Sequence, residues 1–240
     1  MTKVLSNEIK RFLSLKRFWI PTCLSLITFL VIIVVSSRSF FNDLLYTETV
    51  LTYEVYFYSF MVGLIIFICL YRKNFIKKLS ESADEYNVKI STAVLCEWIT
   101  GVCAIMVLYG IMIVLALLFG FVFGLNISAL LVKAVILTSV MDMIAVTACY
   151  SVSLIFLFIT PFPVLPIFVY SALAWIYPVC LDIFGKNGIR LHIYTDTREA
   201  FSAFMMHGTD WKFVPVFILY VIPSLLLSML VFKIKKKRIK

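Results

Sequence analysis

The chain has 240 residues, 62% of them hydrophobic and only 15% charged, with a mean hydropathy of +1.03 and a formal net charge of +9. A soluble domain of this size carries a larger charged fraction, and the polar stretches here are too short to enclose a soluble core. The basic excess does not read as a nucleic-acid surface, because the Lys and Arg residues flank apolar runs, where anionic lipid attracts them.

Residues 3–19 form the first predicted element, an amphipathic helix. Leu5, Ile9, Phe12, Leu13 and Trp19 recur at helical spacing, with Lys3, Asn7, Lys10, Arg11, Ser14 and Arg17 on the other side. A basic helix with aromatic tips lies in a membrane interface. Pro21 then opens the first apolar run, where a missing N–H is tolerated. The basic lead is too long for a signal peptide, so the first run is expected to be retained.

Six apolar runs follow one another, at about Phe18–Ser37, Val55–Tyr71, Ala93–Phe123, Ala129–Thr160, Val164–Phe184 and Phe213–Phe232. A helix rises about 1.5 Å per residue, so about 20 apolar residues cross a hydrocarbon core of about 30 Å. Each run is read as a transmembrane helix, the second being the shortest. Six crossings put both termini on one side. Lys3, Lys10, Arg11, Lys16 and Arg17 lie there, as do Arg72, Lys73, Lys77, Lys78 and Lys89, and then Lys233, Lys235, Lys236, Lys237, Arg238 and Lys240. These are sixteen of the 22 basic residues. The positive-inside rule predicts that both termini are cytoplasmic. The fold class is therefore an all-α integral membrane protein, a single domain over residues 1–240.

Between the runs, Arg38–Glu54 is a short acidic outer loop, edged by an aromatic belt of Tyr46, Tyr53, Tyr56 and Tyr58. The largest inner loop, 72–90, has Phe75, Leu79, Ala83 and Tyr86 on one helical face and Lys77, Lys78, Glu81, Asp84 and Glu85 elsewhere. That pattern predicts a short amphipathic helix. The third and fourth runs exceed the hydrocarbon thickness, so they tilt or project, with a tight turn near Gly124–Asn126. Pro161, Pro163 and Pro166 break the chain between the fourth and fifth runs. The outer segment 186–211 is too apolar for a free loop and is expected to dip into the outer leaflet or pack on the bundle. Pro215 and Pro223 are expected to kink or divide the last run.

Few residues carry the marks of chemistry. No phosphate-binding loop, zinc-protease or nucleophile-elbow motif occurs, and no cofactor or metal site is expected. Cys23, Cys69, Cys96, Cys103, Cys149 and Cys180 lie within or at the ends of apolar runs and read as small hydrophobes. His192 and His207, in the outer segment, have no carboxylate constellation around them. Asp142 is the sharpest feature, a carboxylate near the middle of the fourth run. Such an acid faces the bundle interior or water. It either contacts substrate or a proton, or is a structural acid satisfied by Thr138 or by a neighbouring helix. Glu97 reads as interfacial, beside Trp98. Asp182 is placed for an i,i+4 pair with Lys186. In the fifth run Ser171, Trp175, Pro178 and Asp182 form a polar stripe that either lines a pathway or packs against another helix.

The layout as a whole resembles the permease subunits of type-2 ABC transporters. An interfacial helix leads the first span, the opening NEIKRFLSLKRFWI runs straight into it, an amphipathic inner loop joins the second and third, and a semi-apolar outer segment separates the fifth and sixth. The loop reading SESADEYNVKIST departs from the small-residue and Pro segment many members carry. The resemblance implies a membrane-spanning subunit without ATPase activity of its own. It would pair with a second permease, identical or not, and with separate ABC ATPase subunits in a bacterial plasma membrane, and would export an amphipathic peptide, lipid or drug. Bacteriocins and lantibiotics are the nearest fit, in export or in immunity. It further implies ATPase coupling through the inner loop, with Phe75, Ile76, Leu79 and Tyr86 as contacts, and a pathway lined by the fifth span. Two other classes stay open: a stand-alone bacteriocin-immunity protein, and a proton-coupled secondary transporter using Asp142.

Overall fold

The computed structural model describes residues 2–36, 46, 49–50, 52–71, 75–122, 129–160, 162, 164–176, 193–194, 197–199 and 213–239. The ordered elements among them are helical. They are α1 (Thr2–Leu13), α2 (Lys16–Ser36), a π-helical turn (Glu54–Tyr58) leading into α3 (Ser59–Leu70), α4 (Phe75–Glu85), α5 (Ile90–Val122), α6 (Ala129–Ile159), α7 (Val164–Ser171) continued by a second π-helical turn (Ala172–Ile176), and α8 (Phe213–Ile239). Four segments, within α2, α5, α6 and α8, are long and apolar enough to cross a membrane. The hydrophobic length of the chain thus builds a membrane-embedded helical bundle.

The leading helix is shorter than its periodicity predicts. It stops at Leu13, and α2 begins at Lys16. The stop has a local cause: Ser14 Oγ donates to the Arg11 carbonyl at 2.8 Å, and Trp19 Nε1 to the Leu13 carbonyl at 2.7 Å. Both are last-turn carbonyls that a continuous helix would have claimed. Pro21 accordingly lies inside α2 rather than at its first position. Pro223 likewise lies within α8 without ending it, and next to it Ser224 Oγ bonds the Tyr220 carbonyl at 2.6 Å. α4 ends on Asn87, in the left-handed region at φ 48. Val88 N–H reaches the Ala83 carbonyl at 2.9 Å and Asn87 N–H the Asp84 carbonyl at 3.2 Å, which is a Schellman closure.

α6 is the central post. It packs against α3, α5, α7 and α8, while α1 lies on α5, α2 on α3, and α4 against α5 and α8. In the apolar window of α6 67% of residues are buried, against 17% in α8, so α8 lies at the periphery of the bundle. The core residues between the posts include an unusual number of tyrosines. Tyr53 OH donates to the Ser25 carbonyl at 2.5 Å, Tyr58 OH to Leu108 at 2.6 Å, Tyr150 OH to Glu97 at 3.2 Å and Tyr170 OH to Ser59 at 2.5 Å. Tyr46 OH does the same to Ala116. A helical carbonyl has a second lone pair, so each ring staples two elements without breaking a helix. Two glycines make room for the rings. A Cβ at Gly63 would stand 1.8 Å from the Tyr170 ring, and one at Gly101 2.2 Å from the Tyr150 hydroxyl.

At one end of the bundle the basic residues gather. Lys236 pairs with Asp84 at 2.6 Å, and Lys235 Nζ caps the Ile159 carbonyl at the end of α6. Asn7 Nδ2 donates to Tyr86 OH at 3.1 Å, tying α1 to the segment after α4.

Candidate functional site

Three fully buried polar residues, Glu54, Ser139 and Asp142, come together in the bundle. Ser139 and Asp142 are three positions apart on α6, which sets both on one face. The π-helical turn ahead of α3 brings Glu54 to that face, where Ser139 Oγ donates to Glu54 Oε1. The chain ahead of α8 supplies the other wall. Tyr194 OH donates to Asp142 Oδ1 at 3.0 Å, and Arg198 Nε to the same oxygen at 2.6 Å. Glu54, Ser139, Asp142 and Thr197 are fully buried, whereas the Arg198 side chain keeps 32% of its surface exposed. Arg198 therefore reaches from the surface to a buried acid.

The electrostatics are uneven. Glu54 feels the charges of both Asp142 and Arg198, so two carboxylates share one guanidinium. Burial first, and then the Asp142 charge, push the Tyr194 hydroxyl well above the usual tyrosine range, so it serves as a neutral donor. Glu54 Oε2, Asp142 Oδ2, Tyr109 OH and Thr197 Oγ1 are buried without a hydrogen-bond partner among the described residues. Tyr109, on α5, is close enough to feel Tyr194, Asp142 and Glu54. The arrangement can hold a proton between α5, α6, the π-helical turn and the Tyr194 and Arg198 side chains. No group of three or more His, Cys, Asp and Glu residues among the described residues is placed to hold a metal ion.

The other sequence-predicted residues fall into three sets. Phe75 and Leu79 turn inward, to 6% and 4% exposure, and the Phe75 ring lies 5.4 Å from that of Phe158. They are anchors of α4 on its own bundle, not an exposed knob. Ile76 is half-buried, and Tyr86 is exposed at 40%. The stripe on the fifth run divides as well. Ser171 is buried, with its hydroxyl on the Ile167 carbonyl at 2.8 Å, while Trp175 is 40% exposed and packs on Phe60 with ring centroids 5.4 Å apart. Ser171 ends α7, and Trp175 lies within the π-helical turn that continues it. Pro178 and Asp182 lie outside the described residues, as do His192, His207, Cys180 and Lys186. Glu97 is fully buried within the bundle.

Asp142 has a neighbouring-segment partner rather than Thr138, and sequence reasoning missed it. Arg198 reads as one more outer charge, 56 residues away. Glu54 reads as the last residue of an acidic loop, although its position against the apolar run starting at Val55 is the one signal that marks it. Comparison with family models, curated proteins and solved structures finds no match to this chain.

Proposed function

We propose that the chain is the membrane-spanning permease subunit of an ATP-driven exporter, with six crossings and both termini in the cytoplasm of a bacterial cell. Four long apolar segments supply four crossings, and the shorter helices α3 and α7 begin the other two. Two such subunits, with separate ABC ATPase subunits, would enclose a path for an amphipathic peptide, lipid or drug. The exposed Trp175, backed by Phe60, is the described residue best placed to line it.

The observation that carries the reading is the mounting of α4. Its axis lies at 65° to that of α3, at the basic end of the bundle. Its apolar side, Phe75, Leu79 and Ala83, is buried against the chain's own core. Its other side presents Lys77, Lys78, Glu81 and Glu85, followed by Tyr86, all exposed. A short helix anchored inward and charged outward can pass a push from a cytoplasmic partner into α5, α6 and α8. Ile76 and Tyr86 remain as the apolar contacts, with Phe75 and Leu79 as the mount.

The test is co-purification of the full chain from its native membranes, read as ATP hydrolysis in the eluate. Combining Lys77→Glu, Lys78→Glu and Tyr86→Ala is expected to lower the recovered activity by about tenfold or more, as loss of interface anchors does, at unchanged permease level. Equal recovery from wild type and variant overturns α4 as the coupling element. Wild-type eluates that contain permease and no ATP hydrolysis overturn the exporter reading itself.

A further inference from the structure

We propose that the buried cluster of Glu54, Asp142 and Arg198 is a proton-binding site and that Glu54 carries the proton. The inference stands apart from the energy source assigned above. Among the described residues, two fully buried carboxylates face one guanidinium. If both are ionised, one negative charge is left without a partner in a low-dielectric interior, which is far more costly than neutralising it.

The hydrogen bonds decide which acid is neutral. Asp142 Oδ1 accepts from both the Arg198 guanidinium and the Tyr194 hydroxyl, and both donors favour its ionised form. Among the described residues Glu54 meets only the Ser139 hydroxyl, which can turn from donor to acceptor. A protonated Glu54 keeps that contact. The proton adds to a carboxylate oxygen, and no other bond forms or breaks. A monovalent cation would have to sit beside the Arg198 charge, whereas a proton is absorbed into a neutral acid. Among the described residues, the groups facing the pair are Tyr58 from the π-helical turn, Tyr109 from α5, Ser139 from α6, and Tyr194 and Arg198 from the chain ahead of α8. The unpartnered Tyr109 and Thr197 hydroxyls leave polar atoms that a protein with a purely apolar interior here would not need. Arg198, part exposed, marks the side from which the proton exchanges.

Removing the proton leaves two negative charges on one arginine. Stability must then fall as pH rises, because the folded state binds a proton that the unfolded chain has already released.

Infrared spectroscopy of the full chain in lipid vesicles tests this directly. A carbonyl stretch of a buried carboxylic acid is expected at neutral pH and should vanish in alkali. It should be lost in Glu54→Gln, move in Glu54→Asp and persist in Glu97→Gln, which changes the other fully buried glutamate. In parallel, the thermal midpoint of the wild type should fall with rising pH over the range in which the band disappears, and that of Glu54→Gln should stay flat. No band in the wild type, or a band lost in Glu97→Gln and kept in Glu54→Gln, overturns the assignment. So does a band abolished by sodium chloride and not by choline chloride, which would make the site a cation site.

Discussion

At the basic end of the bundle, acids and bases come in pairs. Glu8 meets Arg11 at 2.6 Å, Glu81 meets Lys77 at 3.9 Å, and Asp84 meets Lys236 at 2.6 Å. Around Asp142 the proportion is different, with two buried carboxylates to one arginine. The first region is solvated in part: Asp84 is 56% exposed, and both partners of the Lys77–Glu81 pair are exposed by more than half. Water screens the exposed Lys77–Glu81 pair, which contributes about 0–1 kcal/mol. In the second region both carboxylates are fully buried, and the same two kinds of group become strongly coupled. The contrast teaches that the number of charges in a region says little. Burial and the ratio of acids to bases decide whether they hold the surface together or form a site.

The strongest way to break the contrast is to remove Asp142. Asp142→Ala leaves Arg198 without its partner and is expected to destabilise by about 3–5 kcal/mol, as loss of one member of a buried pair does. Thermal unfolding of the detergent-purified protein should show a large fall in midpoint. An unchanged midpoint would mean that the pair carries no more weight than a surface one.

Interior packing without charge gives the middle case. Gly63→Ala pushes a methyl group to 1.8 Å from the Tyr170 ring and should cost about 1–3 kcal/mol by overpacking. Gly110→Ala, with nothing within 4 Å of the added carbon, is the matched control and should leave the midpoint where it is. Equal effects from the two would show that Tyr170 moves freely and that the tyrosine staples are loose. The smallest effect belongs to the basic end. Asp84→Asn should lower stability by about 1 kcal/mol or less, and added salt should erase the difference. A loss as large as that of Asp142→Ala would abolish the distinction between the two regions.

Much of the architecture was legible before any coordinate. The third and fourth runs, read at Ala93–Phe123 and Ala129–Thr160, fall within a few residues of α5 and α6. The amphipathic face of the 72–90 loop became α4, with Phe75, Leu79 and Ala83 together on one side. The direction of that face was not legible. Periodicity reports that an apolar side exists, and it cannot tell an outside partner from the chain's own Phe158. The stripe on the fifth run is described only at Ser171, which is buried, and Trp175, which is part exposed and sits inside the π-helical turn at Ala172–Ile176. Periodicity places the two on one run, and it cannot tell which of them the packing will cover.

Helix length, apolar runs and the clustering of basic residues are properties of neighbours along the chain. The sequence by itself therefore determined that this is a helical membrane protein with one strongly basic side. Asp142 could be flagged from sequence as an acid in the wrong place, because hydrocarbon does not solvate a carboxylate. Its partners could not. Arg198 lies 56 residues from Asp142, and Ser139 lies 85 from Glu54, with no local pattern linking them. Only the tertiary structure, by packing the π-helical turn and the 193–199 segment against one face of α6, decided that two acids would share one arginine. A buried polar side chain takes its partner from whatever the packing brings within about 3 Å, and that distance is set by the fold as a whole.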